Sequence, residues 1–268
     1  MNFTDELIIE PGTKVKLEKF DPAETFGFKN DDKTQGKIAK IIKRLDDLQY
    51  LLYAEGKRAL LIVLQAMDAG GKDGTVRHVM SGVNPQGCRV TAFKVPTDEE
   101  LRHDFLWRCH LAVPEKGMFG IFNRSHYEDV LVVRVHKLVP KQIWKHRFQE
   151  INVFEKLLAE NRVKILKFYL HISKEEQKRR FDERLDDPKK NWKLSRADFA
   201  ERQFWPDYME AYEDVLSRCS TADAPWFIIP ADHKWFRNLA VSSIVVETLE
   251  GLDMQFPRPT ISLAKLKS

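Results

Sequence analysis

Apolar residues along this chain recur in two rhythms. Ala59-Leu60-Leu61-Ile62-Val63-Leu64 is an unbroken apolar run, the pattern of a strand buried on both faces. Shorter runs at Arg89 to Phe93, Gly117 to Phe122, Val163 to Ile172 and Trp226 to Pro230 predict four more strands. Between them the spacing changes to three and four. Ile38, Ile41, Ile42, Leu45, Leu48 and Leu52 predict a helix. A second starts at Pro140, with Ile143, Phe148, Ile151, Phe154, Leu157 and Leu158 as its apolar positions, and a last one runs from Trp235 to Leu249. Thr97-Asp98-Glu99-Glu100 and Ser173-Lys174-Glu175-Glu176 have the spacing of capping boxes, the first opening a helix that ends before Pro114. Residues 1–35 hold Pro11-Gly12, Pro22 and Gly27 among charges and predict an irregular surface arm. Strands alternating with helices imply one α/β domain over residues 1–268, a mostly parallel sheet flanked by helices.

The central apolar run ends in Asp68-Ala69-Gly70-Gly71, and Lys72 opens a segment that predicts a helix through Met80. Strand, Gly-containing turn and helix beginning at a lysine is the layout of a phosphate-binding loop. Free N–H groups at a helix N-terminus attract anions, so Ala69, Gly70, Gly71, Lys72, Asp73, Gly74 and Thr75 become candidate phosphate contacts, with Lys72 supplying a full charge. Asp68 is the candidate ligand for a magnesium ion on those phosphates. Two positions depart from the usual loop: Ala66 stands where the first glycine belongs and Asp73 where a Ser/Thr belongs.

The third apolar run leads into Asn123-Arg124-Ser125-His126-Tyr127-Glu128-Asp129. Polar residues at the carboxyl end of a buried strand are where open α/β sheets place their sites. Arg124 can neutralise charge on a transferred group, and Asp129 is a second candidate metal ligand. From Lys174 to Arg196 nine Lys/Arg stand against six Asp/Glu, a composition that also suits a solvated helix with i,i+4 pairs. Here the Asp187-Pro188 break and Trp192 among the cations predict a helical hairpin over 174–200 with a basic tip, a lid over phosphates.

Composition narrows the classes. With 43% hydrophobic residues the chain is globular, and a formal charge of +4 tolerates an anionic partner without demanding one. No apolar run approaches a membrane span and the first residues lack a signal-peptide core, so a soluble cytoplasmic protein is expected. Three scattered cysteines argue against a disulfide framework and a zinc site.

AMDAGGKDGT, FNRSHYEDV and RLDDPKKNWK, with APW before the last strand, resemble the polyphosphate kinase 2 family in sequence and order. The resemblance runs from about Leu48 to Pro257. It implies a P-loop kinase fold with a helical lid, and phosphoryl transfer with magnesium (or manganese) between inorganic polyphosphate and a nucleotide. By resemblance the catalytic set is Asp68, Lys72, Arg124 and Arg184, with Asn123, Glu128, Lys189, Lys193 and Asp198 as further phosphate or nucleotide contacts. Asn123 falls where the family often has aspartate, which shifts metal binding towards Asp68 and Asp129. The Glu128-Asp129 pair is similar to the subgroup that accepts both mono- and diphosphates, implying AMP, ADP and guanine counterparts as acceptors. A homotetramer or dimer is implied, with neither nucleic acid nor membrane as partner. Two other classes fit some features: an ATP-dependent P-loop kinase, and a non-catalytic nucleotide- or nucleic-acid-binding module.

Overall fold

A computed structural model describes residues 2–194 and 196–260, leaving aside the side chains of Lys193, Arg196 and Ala197. Its elements are α1 (Phe3–Leu7), β1 (Ile8–Ile9), α2 (Asp32–Glu55), β2 (Ala59–Gln65), α3 (Lys72–Val79), β3 (Cys88–Ala92), α4 (Trp107–Ala112) and β4 (Phe119–Asn123). There follow α5 (Val132–Val135), α6 (Lys141–Glu160), β5 (Val163–His171), α7 (Lys174–Asp186), α8 (Arg196–Glu201), α9 (Trp205–Cys219), β6 (Trp226–Pro230) and α10 (Lys234–Glu250).

β2 lies inside the sheet and turns no face to solvent. All seven of its residues are buried, and each large aliphatic side chain so placed stabilises the fold by roughly 1.5–3 kcal/mol. It pairs in parallel with β4 on one side and β5 on the other, within the order β1-β6-β5-β2-β4-β3. The chain leaves β2 for the edge at β3, returns to β4, and then crosses to β5. That reversal opens a crevice at the carboxyl ends of β2 and β4, where open α/β sheets bind ligands. α2, α3 and α10 pack together as one helical layer, and α5, α6 and α9 as another. This is the P-loop kinase-like α/β architecture expected from the motifs. No described helix is long and apolar enough to cross a membrane.

Three expectations are corrected. The N-terminal arm is not wholly irregular: Phe3, Leu7, Ile9, Val15 and Leu17 are buried, and β1 adds an antiparallel sixth strand at the edge beside β6. Two residues of strand give too short a period to read in sequence. Thr97 and Glu100 do exchange the two hydrogen bonds of a capping box, but they cap only a 3₁₀ turn, Glu100–Arg102, before the chain breaks and α4 begins at Trp107. On α6, Ile143 and Leu157 are 48% and 47% exposed; the buried stripe runs through Trp144, Phe148, Ile151, Phe154 and Leu158 instead. Ser195, within the predicted hairpin, lies outside the described residues.

Candidate active site

The turn after β2 is shaped by contacts between small residues. A Cβ on Gly70 would lie 2.5 Å from the Ala66 Cβ and 2.8 Å from the Met67 carbonyl oxygen. The methyl group at 66, where the usual loop has glycine, is therefore accommodated by the missing side chain at 70. Gly71 has φ +99 and Ala69 φ +60, left-handed backbone that costs a non-glycine residue about 1–3 kcal/mol. α3 then starts at Lys72, its first-turn N–H groups directed into the turn. The Lys72 Nζ donates to the Ala66 carbonyl at 2.9 Å. Burial pushes its pKa down against the opposing pull of Asp68. Thr75 is not at the surface of the site; buried, it turns its hydroxyl back to the Gly71 carbonyl at 3.1 Å.

β4 supplies the second wall. Asn123 Nδ2 donates to Asp73 Oδ1 at 2.6 Å across the cleft. The two departures from the expected motifs thus complement each other, since aspartate at both positions would set two carboxylates at hydrogen-bond distance. Arg124, at φ +61, brings its Nη2 to 3.0 Å from Asp68 Oδ1. Burial opposes its charge, but Glu128 and Asp68 outweigh that and raise its pKa. Glu128 moves the other way: burial raises its carboxyl pKa although Arg124 and Lys72 pull it down.

The turn carrying these groups rests on a buried polar network. Lys167, wholly buried on β5, donates to Glu155 Oε2 at 2.5 Å, to the Tyr127 hydroxyl at 2.8 Å and to the Cys219 carbonyl at 2.6 Å. Tyr127 donates to Glu155 Oε1 at 2.8 Å, and His126 Nε2 lies 3.1 Å from the same oxygen. His126 and Tyr127 separate Arg124 from Glu128 in sequence, so this network anchors the backbone between them.

Asp68, Lys72, Asp73, Asn123, Arg124, Arg184 and Asp198 line one cleft of ≈ 540 Å³, with the loop residues 69–71 and 74. Lys94 and Trp192 line it as well. Arg184 reaches it from α7 with its guanidinium 5.6 Å over the Phe181 ring, and no ion pair occupies it among the described residues. A second pocket of ≈ 310 Å³ shares Asp68, Arg124 and Asp198 with the first and is lined further by Glu128, Met67, Val95, Leu131, Tyr208 and Tyr212. Arg124 therefore stands where the two cavities meet.

Other predicted residues lie elsewhere. Asp129 reaches neither cavity: its Oδ1 pairs with Arg147 Nη1 at 3.0 Å, with its side chain 13% exposed. It turns towards α6 because successive residues of the 3₁₀ turn His126–Asp129 point to different sides. Lys189 is exposed at the hairpin tip, and the Lys193 side chain lies outside the described residues. Among the described residues no three His, Cys, Asp or Glu side chains converge as a ready-made metal cage. Magnesium needs none, since it is commonly held by one or two carboxylates plus substrate phosphates, and Asp68 offers such a carboxylate at the cleft. Asp68→Asn is expected to lower kcat by about 10²-fold or more, whereas Asp129→Asn should cost stability through Arg147 and leave kcat within about threefold. Steady-state kinetics and thermal unfolding of both variants check this.

Several site residues have no sequence motif of their own. Gln177 donates to the Asp68 carbonyl at 2.8 Å and Arg180 to the Ala69 carbonyl at 2.9 Å, tying the root of the hairpin to the phosphate loop. Both were hidden in a charge run where a buried face is not visible. On the far side of the second pocket, Glu201 of α8 accepts from the Tyr208 hydroxyl at 2.9 Å and sits 3.1 Å from His136 Nε2.

Residues 28–257 match the family model of polyphosphate kinase 2. The chain belongs to that family. An AMP/ADP-polyphosphate phosphotransferase of Meiothermus ruber is 52% identical over 259 residues, spanning 96% of this chain and 97% of that protein. An ADP-polyphosphate phosphotransferase of Rhodopseudomonas palustris is 46% identical, spanning 96% of this chain and 93% of its own length. The crystal structure of polyphosphate kinase 2 from Arthrobacter aurescens TC1 superposes with a TM-score of 0.95 at 43% identity, over 100% of this chain and 95% of that one. As a member of this family the kinase is a phosphotransferase, and the family named from its three motifs stands. The two relatives differ in the acceptor their names give.

Proposed function

We propose that this kinase moves the terminal phosphoryl group of inorganic polyphosphate onto AMP and ADP, and onto the guanine counterparts, giving di- and triphosphates. One observation carries the reading: two cavities meet at Arg124 and Asp68, the larger adding Lys72, Lys94 and Arg184 beside Asp73, the smaller adding Glu128, Glu201 and two tyrosines. The larger is bordered by the loop, Lys72, Lys94 and Arg184 and suits a polyanionic chain. The smaller, with Tyr208, Tyr212, Val95 and Leu131 beside the acids Glu128 and Glu201, suits a nucleoside and repels a phosphate chain.

In the reaction an oxygen of the acceptor's terminal phosphate bonds to the terminal phosphorus of the chain, and the bridging P–O bond breaks onto the shortened chain. Such transfer asks for positioning and charge neutralisation rather than covalent chemistry. Lys72 and the loop N–H groups hold the donor, and Arg124 at the junction faces the group in transit. Arg184 closes from the 174–200 hairpin, which excludes the water that would otherwise accept the phosphoryl. Magnesium held by Asp68 and phosphate oxygens would neutralise charge on the donor. The kinase domain is taken as one unit over the whole chain, working in the cytoplasm as a homo-oligomer, dimer or tetramer.

Purified protein with magnesium, offered polyphosphate with AMP, ADP, GMP or GDP, and separately ATP with the same monophosphates, tests donor and acceptor together by anion-exchange chromatography. ADP and then ATP from polyphosphate plus AMP is the expected result. Product from ADP but none from AMP would remove the dual acceptor range, and transfer from ATP alone would replace the donor. A cation-lined track also predicts that kcat/KM for polyphosphate falls steeply with salt. A flat profile between about 50 and 200 mM would count against the track.

A further inference from the structure

Arg237 lies in the first turn of α10 and is 3% exposed. Its guanidinium presses on the phosphate loop: a Cβ on Gly71 would come within 2.0 Å of Nη1, and one on Gly74 within 3.3 Å of Nη2. At Gly71, which also has φ +99, only glycine fits while the arginine stays, and at Gly74 a side chain would be a tight contact. Its Nε and Nη2 donate to Asn238 Oδ1 at 3.2 and 2.8 Å, a neutral acceptor. Among the described residues no carboxylate forms a hydrogen bond or ion pair with it.

Arg180, another buried cation at this turn, differs. It sits 3.5 Å from the same Gly71 Cβ position, but its Nε is 2.6 Å from Glu176 Oε1 and so is neutralised. The field of Arg237 is felt nearby. Burial and then the Arg237 charge hold the His78 imidazole of α3 below its usual pKa. Burial and then the Arg180 charge bring the Arg237 guanidinium down to about 10.

A buried charge without a counter-ion works against folding, and an apolar side chain at this position would avoid that cost. We propose that Arg237 is a positioning residue for the donor: its unbalanced charge, packed against Gly71 and Gly74, keeps the loop at positive potential and is balanced when the phosphate chain binds. This rests on the reading above that the loop holds the donor. Arg237 borders neither cavity, so it acts through the loop rather than by touching the transferred group.

The test compares wild type, Arg237→Met and Arg237→Lys by thermal unfolding with and without tripolyphosphate, and by steady-state kinetics with polyphosphate and ADP. For Arg237→Met the ligand-free midpoint should equal or exceed that of wild type while the upward shift given by tripolyphosphate shrinks. KM for polyphosphate should rise about tenfold, kcat should change less than about threefold, and the salt slope should flatten by about one. Lys should restore most of the affinity. A structural role moves these readings the other way: a lowered ligand-free midpoint with KM unchanged would overturn the proposal. So would failure of both Arg237→Met and Arg237→Gln to fold. Wild-type protein that neither binds nor uses polyphosphate would bring down the donor assignment and this role with it. Wild type that uses polyphosphate, beside Arg237→Met with unchanged KM, would bring down Arg237 alone.

Discussion

Lys72→Ala should lower kcat/KM for polyphosphate by about 10³-fold, or ~4 kcal/mol of transition-state stabilisation, with the fold retained. Lys72 begins α3, where the helix dipole and free N–H groups already favour an anion. It is the one cationic side chain of the loop, and it lines the cleft. Arg124 and Arg184 border the same space but come from other elements, so neither can take over its position. The effect on stability has the opposite character. Burial holds the Lys72 pKa below its usual value, which means that at neutral pH the folded state carries a penalty for its charge. Loss of the Ala66 hydrogen bond and relief of that penalty offset, and unfolding free energy should stay within about 1 kcal/mol of wild type. Kinetics and chemical denaturation of the purified variant check both halves. A kcat/KM within about tenfold of wild type would remove Lys72 from the phosphate site.

Lys167→Met is expected to be the most destabilising single change, about 3–5 kcal/mol, or a fall of roughly 10 °C in Tm at this chain length. The substitution leaves Glu155 buried among His126, Tyr127 and the sheet with no cation. Burial pushes the Glu155 carboxyl up, yet Lys167 and His126 outweigh burial and its folded pKa lies below the ordinary 4.5. The sign follows directly. The unfolded chain binds the proton more readily, so this contribution is complete above about 4.5 and is lost as pH falls through the lower folded value. Wild type should therefore lose stability below that pH more steeply than a Glu155→Gln/Lys167→Met double variant. The double variant should also be more stable than Lys167→Met at pH 7, because no lone buried charge remains. Equal stability of Lys167→Met and wild type would show the network to be dispensable. Activity gives a second reading. If the network holds the Arg124–Glu128 turn in place, acceptor KM should rise in the folded double variant.

Legibility followed the range of the interactions involved. Strands β2 to β6 and helices α2, α3, α6 and α10 were evident as runs and spacings, because burial of one strand or one helical stripe writes itself into neighbouring residues. Asp68, Lys72, Arg124 and Arg184 were named from sequence and line one cleft, three of them beside strand ends or loop glycines. β1 was not, since two residues carry no period. Asp129 was misplaced because neighbouring carboxylates in a tight turn differ only in where they point, and it is Glu128 that faces Arg124 and Lys72.

The sequence by itself determined the strand–loop–helix at 59–79, the alternation that makes the sheet parallel, and the family. These depend on contacts between residues near in the chain or on motifs that read in order. Only the tertiary structure decided that Asp73 and Asn123 complement each other, that Gly70 makes room for Ala66, and that one cleft and one pocket join at Arg124. It alone set Arg180 and Arg237 against the loop from α7 and α10. The reason is the crossover topology. Ala66 and Gly70 lie four positions apart in one turn, but the other residues concerned are separated by fifty to more than a hundred and fifty positions, and their partners are chosen by which strand ends the sheet brings side by side.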